Sequence, residues 1–154
     1  MTSRTRIGLA VLAGLAASAV PWSALAQTRP VTGVCLQPRF TENAPPEFYN
    51  LKNAIEQPTE ADYAAARATF LGDGKKASCA SCHGETGDGK GPMAEQFDPP
   101  PRDFACAKTI KDVPDGHLFW IIRYGSPGTS MPAHRRLKDP QVWQLVWYLR
   151  RLSQ

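Results

Sequence analysis

The chain has 154 residues, 42% hydrophobic and 21% charged, with 18 Lys plus Arg against 14 Asp plus Glu and a formal charge of +4. That length builds one compact domain with an extension and is too short for two ordinary domains. A charge this modest gives no reason to expect nucleic acid as a partner.

The first element is a leader. Arg4 and Arg6 precede an apolar run from Ile7 to Val20, and Ala24-Leu25-Ala26 supplies the small-x-small pattern of a cleavage site, so residues 1–26 read as a secretory signal peptide. The run stops at Pro21, short of the roughly 20 apolar residues that a membrane anchor needs. The mature chain is therefore expected in the periplasm, without stable membrane insertion. It would keep 128 residues and 16 basic against 14 acidic groups, a balance of +2.

Residues 27–58 carry Pro30, Pro38, Pro45, Pro46 and Pro58 and no sustained helical period, which predicts an extended N-terminal arm. Residues 59–154 read differently. Thr59 suits a helix N-cap, Glu60 and Asp62 suit the positive first turn, and Ala61, Ala64, Ala65 and Ala68 form a narrow stripe as far as Leu71. Gly72-Asp73-Gly74 ends that helix just before Cys79-Ala-Ser-Cys82-His83.

After a glycine-rich turn, Asp98-Pro99-Pro100-Pro101 forbids regular structure. Pro114 to Tyr124 then predicts a helix closed by Gly125, and Ser126 to Pro132 a turn-rich loop. Asp139-Pro140 opens the last helix, in which Val142, Leu145, Val146, Leu149 and Leu152 repeat at three and four. The sum is an all-α fold: a small helical domain with long loops.

Four cysteines, Cys35, Cys79, Cys82 and Cys106, each need a covalent fate in an oxidising compartment. Cys79 and Cys82 lie at i and i+3, on one side of a helical turn, with His83 next in sequence. A thioredoxin-like pair would want alternating strands and helices around it, and zinc a second closely spaced pair of ligands; neither is present. Two sulfurs so placed reach two neighbouring vinyl groups of one porphyrin, and His83 turns toward its iron. Together with a secretory signal, this points to one covalently attached haem c. Cys35 and Cys106 are then left as a disulfide pair closing a loop of about 70 residues, worth roughly 4 kcal/mol on the chain-entropy model.

Across residues 60–152 the chain resembles a class I c-type cytochrome. The motifs that carry the likeness are Cys79-Ala-Ser-Cys82-His83-Gly84, Gly87-Asp-Gly-Lys-Gly-Pro92, Asp115-Gly-His-Leu-Phe-Trp120 and Gly128-Thr-Ser-Met131-Pro132 ahead of an aromatic-rich last helix. The resemblance implies that the first and last helices cross near the haem, with Phe70 and Tyr148 or Trp147 at the contact. It implies Met131 as the axial ligand opposite His83, with Met93, His117 and His134 as in-sequence competitors. It also implies the Pro92 carbonyl as the acceptor for the His83 ring. Trp120, Arg102 and Arg123 are candidates to hold the haem propionates, each with an equally good reading as core or surface. Trp143, Trp147 and Tyr148 read as packing. The arm and the long span from Phe70 to Cys79 depart from the family pattern.

His/Met ligation leaves iron no open position, so the expected function is single-electron transfer and not catalysis. The partners would be a dehydrogenase donor and an oxidase or other acceptor, and Arg135, Arg136 and Lys138 would steer an acidic one toward the haem edge. The alternative is a haem enzyme, or a binder of peroxide or a small gas, with the sixth position open.

Overall fold

A computed structural model describes residues 42–74 and 76–154. The expected signal peptide, the first part of the arm and Cys35 lie outside the described residues. Among the described residues six helices follow in order: α1 Pro46–Tyr49, α2 Glu60–Leu71, α3 Cys79–His83, α4 Ala107–Ile110, α5 Asp115–Tyr124 and α6 Asp139–Leu152, with a 3₁₀ turn at Ala94–Gln96. Among the described residues there is no strand, and none of their helices is long and apolar enough to cross a membrane.

Helix α2 begins where its chemistry dictates. Thr59 Oγ1 accepts from Asp62 N at 3.2 Å, and Asp62 Oδ2 accepts from Thr59 N at 2.8 Å, a reciprocal cap that satisfies two of the donors every helix start leaves over. Its buried face is not the alanine stripe. Ala61, Ala64, Ala65 and Ala68 are exposed, whereas Ala66 and Phe70 are buried at 1% each. Alanine methyl groups weigh the same on every side of a helix, so the large ring of Phe70 sets which side turns inward.

Helices α2 and α6 form the most extensive helix pair of the fold. Phe70 meets Tyr148 with ring centroids 5.2 Å apart, tilted by 53°, the geometry aromatic pairs prefer. The expected crossing thus involves Tyr148, while Trp147 turns away and donates Nε1 to Ile55 O at 2.6 Å. Helix α6 starts at Asp139 with Lys138 as cap, one residue earlier than expected, and Gln141 Oε1 accepts from Lys138 N at 2.9 Å. It buries Val142, Trp143, Leu145, Val146, Tyr148 and Leu149, so the aromatics complete the apolar face. At its C-terminus Arg150 reaches Asp115 Oδ1 at 2.6 Å and the carbonyls of Ile110 and Val113, which ties α4 and the start of α5 to α6.

The described part of the arm is not wholly extended, because Pro46 supplies a preset first turn for α1. It is seated on the domain by specific bonds. Ala44 N donates to His117 Nδ1 at 3.1 Å, Asn53 Nδ2 donates to Trp143 O at 3.1 Å, and Ile55 O receives Trp147. Gly116 permits this close approach: a Cβ there would lie 1.8 Å from Phe48 O.

Candidate cofactor site

Ser78 precedes α3, and Cys79, Cys82 and His83 leave this single turn toward a cavity of about 300 Å³. That volume is at the lower end of the roughly 300–1,000 Å³ usual for cofactor and ligand sites. Its walls are apolar, formed by Phe70 from α2, Leu118 and Ile122 from α5, Leu145 and Leu149 from α6, and Phe104. Met131 reaches the same cavity from the loop between α5 and α6. That loop is held by its own bonds: Met131 N donates to Thr129 Oγ1 at 3.2 Å, and Ser126 N to Met131 O at 3.3 Å.

The turn after α3 folds back under its own helix. Gly89 N donates to His83 O at 2.8 Å, Gly91 N to Cys82 O at 3.1 Å, and Met93 N to Ser81 O at 2.9 Å. Gly91 has to be glycine, since a Cβ would lie 2.4 Å from Ser81 O. Phe104 N then donates to Gly87 O at 2.6 Å, which draws the Pro99–Asp103 segment alongside His83.

This path corrects one expectation. The carbonyl facing His83 Nδ1 is that of Arg102, at 3.0 Å, and Pro92 is exposed on the turn. A ring whose Nδ1–H points at a carbonyl carries its lone pair on Nε2, the tautomer that binds a metal. Phe104 stacks on the same ring at 4.5 Å and 26°. Sequence reasoning missed both partners, although the Pro-Pro-Pro-Arg-Asp-Phe string was the signal for a rigid segment crossing the site.

Two further candidate residues lie off the cavity. On α5 the cavity is lined by Leu118, Ile121 and Ile122, at i, i+3 and i+4, so Trp120 falls off that stripe and instead lies 6.2 Å from the His117 ring. Arg123 turns away to pair with Asp139 and donate to Leu137 O, pinning the start of α6. Arg102 does line the cavity, but its guanidinium donates to Thr109 O at 3.0 Å, and its backbone carbonyl is the part that serves His83. His117, on α5, is buried against the arm and lies outside the cavity, while Met93 and His134 line it. Arg135, Arg136 and Lys138 are exposed.

The donor chemistry separates the three readings of the thiols. Burial pushes Cys79 up to about 11 and raises Cys82 as well, so both are protonated at neutral pH, unlike the lowered thiols of redox pairs. Both are free, and among the described residues no group of three or more His, Cys, Asp or Glu is placed to hold a metal ion by itself. Two thiols on one turn, an imidazole of fixed tautomer and a thioether, all facing one apolar cavity, fit a covalently held haem. Of the remaining cysteines, Cys106 is buried and is not a free thiol.

A family model described as cytochrome c matches residues 73–153. Among solved structures, a chain of the Kuenenia stuttgartiensis reducing HAO-like protein complex is similar at 30% identity and a TM-score of 0.53, over 64% of this chain and 46% of that one. This chain therefore spans less than half the length of that relative. None of the curated proteins matches it.

Proposed function

The chain belongs to the cytochrome c family, and from that premise we propose that it is a single-electron carrier holding one haem c through Cys79 and Cys82, with His83 and Met131 as axial ligands. The observation that carries the reading is the convergence of these four side chains on one apolar cavity. When bound, the haem supplies reversible one-electron iron chemistry. The chain's own residues do the rest. Cys79 and Cys82 anchor the macrocycle, and Arg102 O fixes the His83 ring and strengthens it as a donor. Met131 would supply a soft sulfur donor that favours the reduced state, and the apolar walls would disfavour the added ferric charge in the same sense.

The proposed setting is the periplasm, between a dehydrogenase donor and an oxidase or other acceptor. Exposed Arg135, Arg136 and Lys138, just past the Met131 loop, suit an acidic partner. The chain would act as a free carrier or as an electron-transfer subunit; the complex from which the similar solved chain comes favours the second role. We further propose that Cys35 and Cys106 form a disulfide.

Absorption of the ferric protein, made with haem-maturation machinery, tests the ligand set. The wild type is expected to show a methionine–iron charge-transfer band. Met131→Leu, which keeps volume and removes the sulfur, is expected to lose it and to lower the reduction potential. An unchanged potential overturns Met131 as ligand. A high-spin wild type whose ferrous form binds carbon monoxide fast overturns the carrier in favour of an open-site haem protein.

A further inference from the structure

His134 is a cavity-wall group that the proposed ligand set leaves unused. It sits three residues after Met131 and lines both the main cavity and a neighbouring one of about 270 Å³, which Ser78, Cys79 and Leu137 also border. Its backbone is anchored, with N donating to Ile122 O and O accepting from Leu137 N, each at 3.1 Å. Its ring makes no hydrogen bond with any described residue, and burial alone shifts its pKa, downward, so the imidazole is neutral at neutral pH. A neutral ring with both nitrogens uncommitted, on the wall of a cavity suited to an iron porphyrin, is a competent iron donor.

The other competitors are tied elsewhere. The Met93 backbone is bonded to Ser81 in the attachment turn, which keeps it beside His83 and its helix. The His117 ring accepts from Ala44 N and faces the arm. His134 belongs instead to the loop that carries Met131, so a rearrangement of that one loop brings the two side chains into exchange.

We propose that His134 is a reserve axial ligand, its ring nitrogen taking the iron position when the Met131 sulfur leaves it. The proposal rests on the Met131 assignment above. The exchange breaks one iron–sulfur donor bond and forms one iron–nitrogen bond, each made by a ligand lone pair, and it moves no electron and no proton. Its consequence is a protein that stays closed to small ligands after losing its methionine, by displacement or by oxidation to the sulfoxide.

The test compares wild type, Met131→Leu, His134→Ala and the double variant as haem-loaded proteins, using electron paramagnetic resonance of the ferric forms and carbon monoxide binding by the ferrous forms. His134→Ala alone is expected to keep the methionine–iron band. Met131→Leu is expected to remain low-spin with a bis-imidazole signal and slow carbon monoxide binding, and the double variant to lose that signal, become high-spin and bind carbon monoxide fast. A high-spin Met131→Leu protein, or a double variant that still shows two nitrogen ligands, overturns the reserve role while leaving Met131 as ligand. A wild type that lacks the methionine–iron band sinks both readings. Should Met131→Leu not fold, Met131→Ala and peroxide-oxidised wild type are read by the same signals.

Discussion

His117 shows how one side chain joins the arm to the domain. It is 4% exposed, and its Nδ1 accepts the Ala44 N–H, so the bond exists only while the ring is neutral. Burial, reinforced by the Arg102 charge, lowers its pKa, while the Tyr49 and Trp120 rings pack against it without adding charge. A base depressed in the folded state binds more protons when unfolded, so stability is fully present above about pH 6.5 and falls as pH drops through that value toward the folded pKa. His134 is shifted in the same direction and adds to the slope. The thermal midpoint should therefore drop between about pH 7.5 and pH 5, ahead of carboxylate protonation. His117→Gln keeps an acceptor for Ala44 N and removes the titration, so it should flatten part of that drop. An identical slope in the variant would show that His117 is not its source. Nothing in the sequence marked this histidine as an acceptor, because its partner is 73 positions away.

At the scale of elements, legibility followed side-chain size. Helix α6 was readable because its large apolar residues repeat at three and four, and α3 because two cysteines and a histidine leave few chemistries open. Helix α2 was legible in extent but not in orientation, since four of its alanines point to solvent and only Ala66 and Phe70 are buried. The rigid Pro99–Pro101 segment was legible as irregular, yet its path across His83 depends on the distant bond between Phe104 N and Gly87 O. The corrected orientation has a direct check. Phe70→Ala should cost about 3–5 kcal/mol through the cavity left beside Tyr148, whereas Ala64→Ser or Ala65→Ser on the exposed side should stay within about 0.5 kcal/mol. Urea unfolding of the three variants separates the two outcomes. Comparable losses at Ala64 and Phe70 would restore the alanine stripe as the buried face.

For the molecule as a whole, the question is what the arm contributes beyond the domain that matches the family at residues 73–153. The arm reaches the hydrophobic layer on the side of α5 and α6, through Ala44, Asn53 and Ile55. The cofactor cavity lies between α2, α5, α6 and the Met131 loop, and no described residue of the arm lines it. Stability and redox chemistry are thus separable by position, and the proposed Cys35–Cys106 bridge belongs to the first. Cys106 caps α4, whose Thr109 carbonyl receives Arg102, so the bridge would fasten the arm four residues from the carbonyl that orients His83. Arg102 is nonetheless held from the domain side, by Thr109 and by the adjoining Phe104 bond to Gly87. Cys35→Ser should accordingly lower unfolding free energy by up to roughly 4 kcal/mol, the loop-closure value for about 70 residues, and leave the absorption spectrum of the haem-loaded protein unchanged. The wild type, unfolded without reductant, should titrate no free thiol, because two sulfurs are spent on haem and two on the bridge. Two reactive thiols in that titration, or a variant as stable as the wild type, would remove the bridge and leave the arm held by its hydrogen bonds and packing alone.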